Sequence, residues 1–302
     1  MKTLDPDHPI RTSLKVLLKT LLASASIIAI LASTSAQAEL LSTESFDGYT
    51  PGTLLSAESP APTVAGYTGN WSGGLSQQTF AGSLAYGGAG YAAGTGNHIG
   101  VPASDPGTWW DGGETVRTMD SSLTVTSATT GTRYLSWLFQ SGTEAQYQML
   151  LLTDAAGNRK FGAGLSFNDE GGYDVIPNGG LTYDYEVNTA AYNTGVTANT
   201  TVNLFVVKFD LSAAAGADNV TVWLNPTLGG PGDPTGGFEV TGTDLTFDTL
   251  DIADYGANSA KWDEIRWGTS FNDVTTAPIP EPGAALLGGL GMLALLRRRR
   301  NR

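Results

Sequence analysis

The chain has 302 residues, among them 39 Gly, 14 Pro, 7 Trp, 11 Tyr and 10 Phe, with only 15% charged residues and no Cys, which excludes a disulfide framework and a thiolate metal site. Between the two ends, residues 39–277 hold 7 Lys+Arg against 26 Asp+Glu, a net of −19, so the body repels nucleic acid and anionic lipid. Glycine combined with this many aromatics predicts short strands and many turns, since disordered chains are poor in aromatics.

At the amino end, basic residues up to Lys19 precede an apolar stretch from Thr20 to Ala32, followed by small residues and Ala36-Gln37-Ala38. That order is the pattern of a secretory signal. Residues 1–38 are therefore expected to form a leader helix, handled by the general secretion machinery and cut after Ala38. The apolar part falls short of the roughly 20 residues of a permanent spanning helix.

His8 precedes the leader's apolar part, so His98 is the single histidine left to any mature site, and a multi-histidine metal centre is excluded. A Ser/His/Asp triad would have to use His98, within GYAAGTGNHIG; a hydrogen-bonded loop histidine is the simpler reading. Next, DPGTWWDGGE (105–114) sets two tryptophans between glycines and near acids. Flat rings beside polar groups suit a sugar, which makes Trp109, Trp110 and Asp111 candidate glycan-binding residues. Adjacent strand residues face opposite sides, so the packing alternative places one Trp in the core and leaves the other partly exposed.

The clearest strands follow. TRYLSWLFQ (132–140) and YQMLLLT (147–153) are rich in aromatic and large aliphatic residues, and a turn is expected at Asp154–Asn158. FNDEGGYD (167–174) and GADN (216–219) gather oxygen-bearing side chains of the kind Ca2+ takes. Asp169, Glu170, Asp174 and Asp218 are the candidate ligands, and Ca2+ the one cofactor suggested; both stretches are also ordinary turn compositions. TVNLFVVKFDL (201–211) has an apolar centre suited to burial on both faces. NVTVWLNP (219–226) alternates, with Val220, Val222 and Leu224 on one side and Thr221 and Trp223 on the other. Residues 226–237 read as a long loop. Trp71, Trp137, Trp223, Trp262 and Trp267 are assigned to packing. The acid pairs Asp184/Glu186 and Asp263/Glu264 read as solvent-facing strand positions or, for the latter, part of the closing strand. Sustained helical periodicity is confined to the two terminal segments, so 39–277 is expected to be an all-β antiparallel sandwich.

The last 25 residues contain Pro280-Glu281-Pro282, thirteen uncharged residues from Ala284 to Leu296, and Arg297, Arg298, Arg299 and Arg300. The prolines keep the approach out of helix and strand pairing, and a cationic stop after a short apolar helix holds such a tail in the inner membrane with its basic end inside. This tail resembles the PEP-CTERM sorting signal of Gram-negative bacteria. The resemblance implies an exosortase-type partner that cuts near the triplet and releases the body, after transient anchoring, to the envelope or extracellular matrix.

Three stretches of the body, ESFDGYTPGTLL (44–55), NLFVVKFDLSAAAGADNVTVWLNP (203–226) and KWDEIRWGTSFNDV (261–274), resemble concanavalin A-like, laminin-G-like jelly-roll domains. That fold hosts lectins, glycosidases and adhesive modules alike. The related glucanases carry a Glu-x-Asp-x-x-Glu strand, which is missing here because no Glu is followed two places later by Asp. The expectation is a non-catalytic module acting by structure or adhesion. The alternative is a carbohydrate-binding module for extracellular polysaccharide, with or without calcium, and a glycosidase ranks third.

Overall fold

The computed structural model describes residues 39–73, 77–91, 94, 96–101, 113–142, 147–165, 172–177, 192–197, 200–255 and 260–276. The leader with Ala36 and Ala38, the sorting tail with its triplet and arginines, Trp109, Trp110, Asp111, Asp169, Glu170 and the pair Asp184/Glu186 lie outside the described residues. The fold is an all-β jelly-roll sandwich of two antiparallel sheets. Sheet A contains β1 (Leu40–Glu44), β3 (Gln78–Ala81), β4 (Asn97–Gly100), β6 (Gly131–Gln140), β11 (Val202–Leu211), β12 (Asp218–Leu224), β13 (Phe238–Thr243) and β15 (Lys261–Gly268). Sheet B contains β2 (Tyr67–Gly73), β5 (Gly113–Met119), β7 (Tyr147–Thr153), β8 (Arg159–Leu165), β9 (Gly172–Pro177), β10 (Tyr192–Thr197) and β14 (Thr249–Tyr255). In space the orders are β13-β12-β11-β6-β15-β4-β3, with β1 also on β15, and β10-β9-β8-β7-β14-β5-β2.

Strand alternation divides the side chains as the period-2 pattern requires. From β11, Phe205, Val207 and Phe209 enter the space between the sheets while Leu204 and Val206 point outward. Inside, Trp137 stacks on Phe205 with centroids 4.9 Å apart, and Trp262 meets Phe139 at 5.4 Å. The five tryptophans assigned to packing are all buried. The long apolar strands bury both faces because sheet A has a second cover. The short helix α1 (Phe271–Thr275) lays Phe271 and Val274 on Leu138, Leu204, Val206 and Trp223.

ESFDGY does more than begin the first strand. Glu44 ends β1 inside the sandwich, where Arg117 Nη1 donates to its Oε2 at 2.6 Å and to the Tyr49 hydroxyl at 2.8 Å. Tyr49 itself donates to Glu44 Oε2 at 3.1 Å, and Trp71 Nε1 donates to Tyr49 at 2.9 Å. The Arg117 guanidinium lies over the rings of Tyr67 and Trp71, at 5.4 and 5.7 Å from their centroids. A charge pair taken out of water is tolerated only when it is paired and hydrogen-bonded in this way.

Two expectations need correction. His98 is not in a loop: it sits in β4, buried, pairing with Phe80 of β3, and its ring stacks on Phe80 at 5.5 Å. Asp263 and Glu264 do lie in the closing strand, but neither faces solvent. On one edge of β15, β4 pairs with Lys261 and Trp262 and β1 with Ile265 to Gly268. A bulge lies between, with Glu264 in the left-handed region (φ 51°), and segments from outside the sheet close over it.

Candidate functional site

The strand ends that flank residues 102–112, 143–146, 166–171 and 256–259 meet at one pole of the sandwich. Register shows this directly: Asp254 pairs with Gly113 and Gln148, Tyr255 with Tyr147, and Gln148 with Leu165, while in sheet A Lys261 pairs with both Gly100 and Gln140. Gly113 and Leu165, the described residues that border the candidate glycan stretch and the first candidate calcium stretch, thus stand at strand ends of this pole.

Beside it, on the outer face of sheet B, four side chains from four strands converge. Tyr147 and Tyr255 meet edge to face at 5.7 Å. The Arg159 guanidinium lies 5.4 Å from the Tyr147 centroid and pairs with Glu114 Oε1, which also accepts from the Tyr255 hydroxyl at 3.0 Å. Glu114 pairs with Ala253 and Val116 with Asp251, so the Asp251 and Glu114 side chains are diagonal neighbours on one face. Burial pushes the Asp251 carboxyl up, the Glu114 charge adds to the rise, and Arg159 opposes it. The floor is apolar, formed by Met149, Leu151, Ile176 and Ala253. Gly164 belongs to it (φ 151°), where a side chain would collide with the Gln148 carbonyl.

Just inside the pole, Asp254 faces inward from β14 and is buried, with the Gln148 amide beside its carboxyl. Burial pushes its pKa up to about 8, with the Gln148 amide pulling the other way, so it is largely protonated at neutral pH.

The two described calcium candidates are not brought together. Asp174 is buried in β9 of sheet B. Asp218 opens β12 of sheet A, where its carboxylate accepts from the Ser212 and Leu245 amides, each at 2.7 Å. Among the described residues no group of three or more His, Asp or Glu side chains is placed to hold a metal ion. Reading the sequence overlooked Tyr147, Arg159, Asp251, Asp254 and Tyr255. The usable signal was a pair of acids, Asp251 and Asp254, inside the otherwise strand-like TLDIADY.

No protein-family model matches the chain, and no curated protein matches it. Solved structures similar in outline include the VIP36 exoplasmic/lumenal domain in its Ca2+/Man-bound form, with 14% identity over 67% of this chain and 82% of that one and a TM-score of 0.40. The binding domain of botulinum neurotoxin serotype G is 7% identical over 78% of this chain and 49% of its own, with a TM-score of 0.42. That of botulinum neurotoxin DC, in complex with rat synaptotagmin II, is 8% identical over 68% and 45%, at 0.39. The chain spans less than half the length of either toxin domain.

Proposed function

We propose that this chain is an exported, non-catalytic binding module of the cell envelope or extracellular matrix, which holds extracellular polysaccharide on the outer face of sheet B. The observation that carries the reading is the cluster of Tyr147, Tyr255, Arg159 and Glu114. Two buried rings set edge to face back the site, and an arginine and a partly exposed carboxylate already fixed to each other offer oriented donors and acceptors to a sugar at its surface. The leader brings the body out, the PEP-CTERM-like tail holds it for an exosortase-type enzyme, and an acidic body stays clear of anionic lipid.

The test is a glycan array probed with the full-length chain, with and without a chelator. Selective binding is expected, weakened roughly tenfold or more by Glu114→Gln, since a hydrogen bond to a charged group contributes about 1.5–3 kcal/mol. Loss of binding with chelator would add Ca2+ to the site. Absence of selective binding, or binding indifferent to Glu114→Gln, contradicts the assignment of this face.

A further inference from the structure

Sheet A carries a feature that polysaccharide binding does not use. Between β3 and β4 the chain runs from Gly82 to Tyr91 without regular structure and lies on the outer face of sheet A, where Leu84, Tyr86 and Tyr91 pack on the apolar cluster that includes Leu138, Leu204 and Trp223. The whole β3–β4 connection, residues 82–96, reaches the length at which a loop in a compact domain is usually either functional or a linker. Its attachment is polar and concentrated at the root. His98 Nδ1 lies 2.6 Å from the Gly82 carbonyl oxygen. Asp263 Oδ2 accepts from the Ser83 hydroxyl and, at 2.7 Å, from the Leu84 amide, while its Oδ1 accepts from the Glu264 amide at 2.7 Å. Farther along, the Arg266 guanidinium lies 4.7 Å from the Tyr91 centroid and is held there by two bonds to Glu264 Oε2.

We propose that residues 82–91 form a pH-gated strap, tied at its root by His98 and Asp263, over the apolar outer face of sheet A. This device is independent of what sheet B binds.

The direction of gating follows from the two ties. Burial pushes the Asp263 carboxyl up to about 7, and Glu264 adds to the rise against the pull of the Ser83 and Leu84 donors. A lifted strap opens the carboxyl to water and returns it toward 3.8. The docked state therefore holds the extra proton, and docking weakens as pH rises through about 7. Once protonated, the carboxyl can exchange roles with the Ser83 hydroxyl and donate to it. His98 opposes this trend. Its burial lowers its pKa, the Gly82 carbonyl raises it, and the Lys261 charge lowers it further, so the docked strap prefers neutral imidazole and acid loosens that tie. The other charged groups around the root are Glu264 and Arg266, which pair with each other, Asp47 beside Gly96, and Asp273 of α1 beside Gly268. Asp263 sets the sign and His98 blunts the slope, so the strap is tight in weak acid and looser in alkali, where it uncovers apolar surface.

Hydrogen exchange of the Leu84 amide in the full-length chain tests this, expressed as a protection factor so that intrinsic exchange is removed, with Val206 of β11 as an internal reference for the fold. From pH 6 to pH 8.5 the Leu84 protection should fall several-fold in the wild type. It should fall about tenfold in His98→Gln, where Asp263 acts alone, and not fall at all in Asp263→Asn. Protection that is unchanged in the wild type, or that falls as steeply in Asp263→Asn as in the wild type while Val206 stays protected, overturns the proposal.

Discussion

Single buried charges decide much of this molecule's energetics. Arg117 is only 2% exposed and serves Glu44, Tyr49 and the Pro62 carbonyl at once. Removing one member of a buried pair leaves the other charged and without compensation, so Arg117→Ala should destabilise the chain by about 3–5 kcal/mol, measured by denaturant unfolding. A loss under about 1 kcal/mol would mean that Glu44 is relieved in some other way. Asp254 behaves differently, because among the described residues no cation pairs with it and burial outweighs the pull of the Gln148 amide. Its folded pKa of about 8 stands above the ordinary 3.8, so the folded state binds the extra proton, and the stability linked to it is lost as pH rises through about 8. Asp251 shifts in the same direction. Asp254→Asn should therefore flatten the decline in Tm between pH 5 and pH 9. An unchanged decline would place the titration elsewhere.

At the scale of elements, α1 is a single turn and owes its existence to its cap and its packing. Ser270 accepts from the Asp273 amide while the Asp273 carboxylate accepts from the Ser270 amide, a complete capping box, and Phe271 and Val274 seal the outer cluster. Ser270→Ala should cost about 1 kcal/mol, read as a shift in Tm; a neutral result would mean that packing alone holds the turn. For the WW pair, alternation predicts an asymmetric outcome in thermal melts. Alanine at one of Trp109 and Trp110 should cost roughly 3–5 kcal/mol, whereas at the other it should stay within about half a kcal/mol; two silent substitutions would refute packing. Strands were legible in the sequence wherever their apolar pattern was strong: YQMLLLT coincides with β7, and TVNLFVVKFDL with β11 to within a residue. Burial of polar residues was not legible. Asp263 and Glu264 look solvated until the remote segment 82–91 and the bulge in β15 enclose them, and the convergence of Glu114, Arg159, Tyr147 and Tyr255 depends on strand pairing that no local stretch records.

On the scale of the whole molecule, the sandwich is closed by pairing its first strand with its last. The Glu39 amide donates to Thr269 Oγ1, and the Thr269 amide donates to the Glu39 carbonyl, each at 3.0 Å. The body therefore completes its sheet only when both ends of residues 39–276 are present, an arrangement suited to a domain released by cuts on either side. Replacing Pro280-Glu281-Pro282 with alanines should leave the chain exported but unprocessed and retained with the inner-membrane fraction; equal release of the variant would remove the triplet from the sorting step. The central claim, an exported module trimmed at both ends, is tested most directly by the intact mass of the mature protein recovered from the native cell. The account predicts a chain that begins at Glu39 and ends near the Pro280–Pro282 triplet. A chain that still carries the leader before Glu39, or that still ends at Arg302, would contradict it.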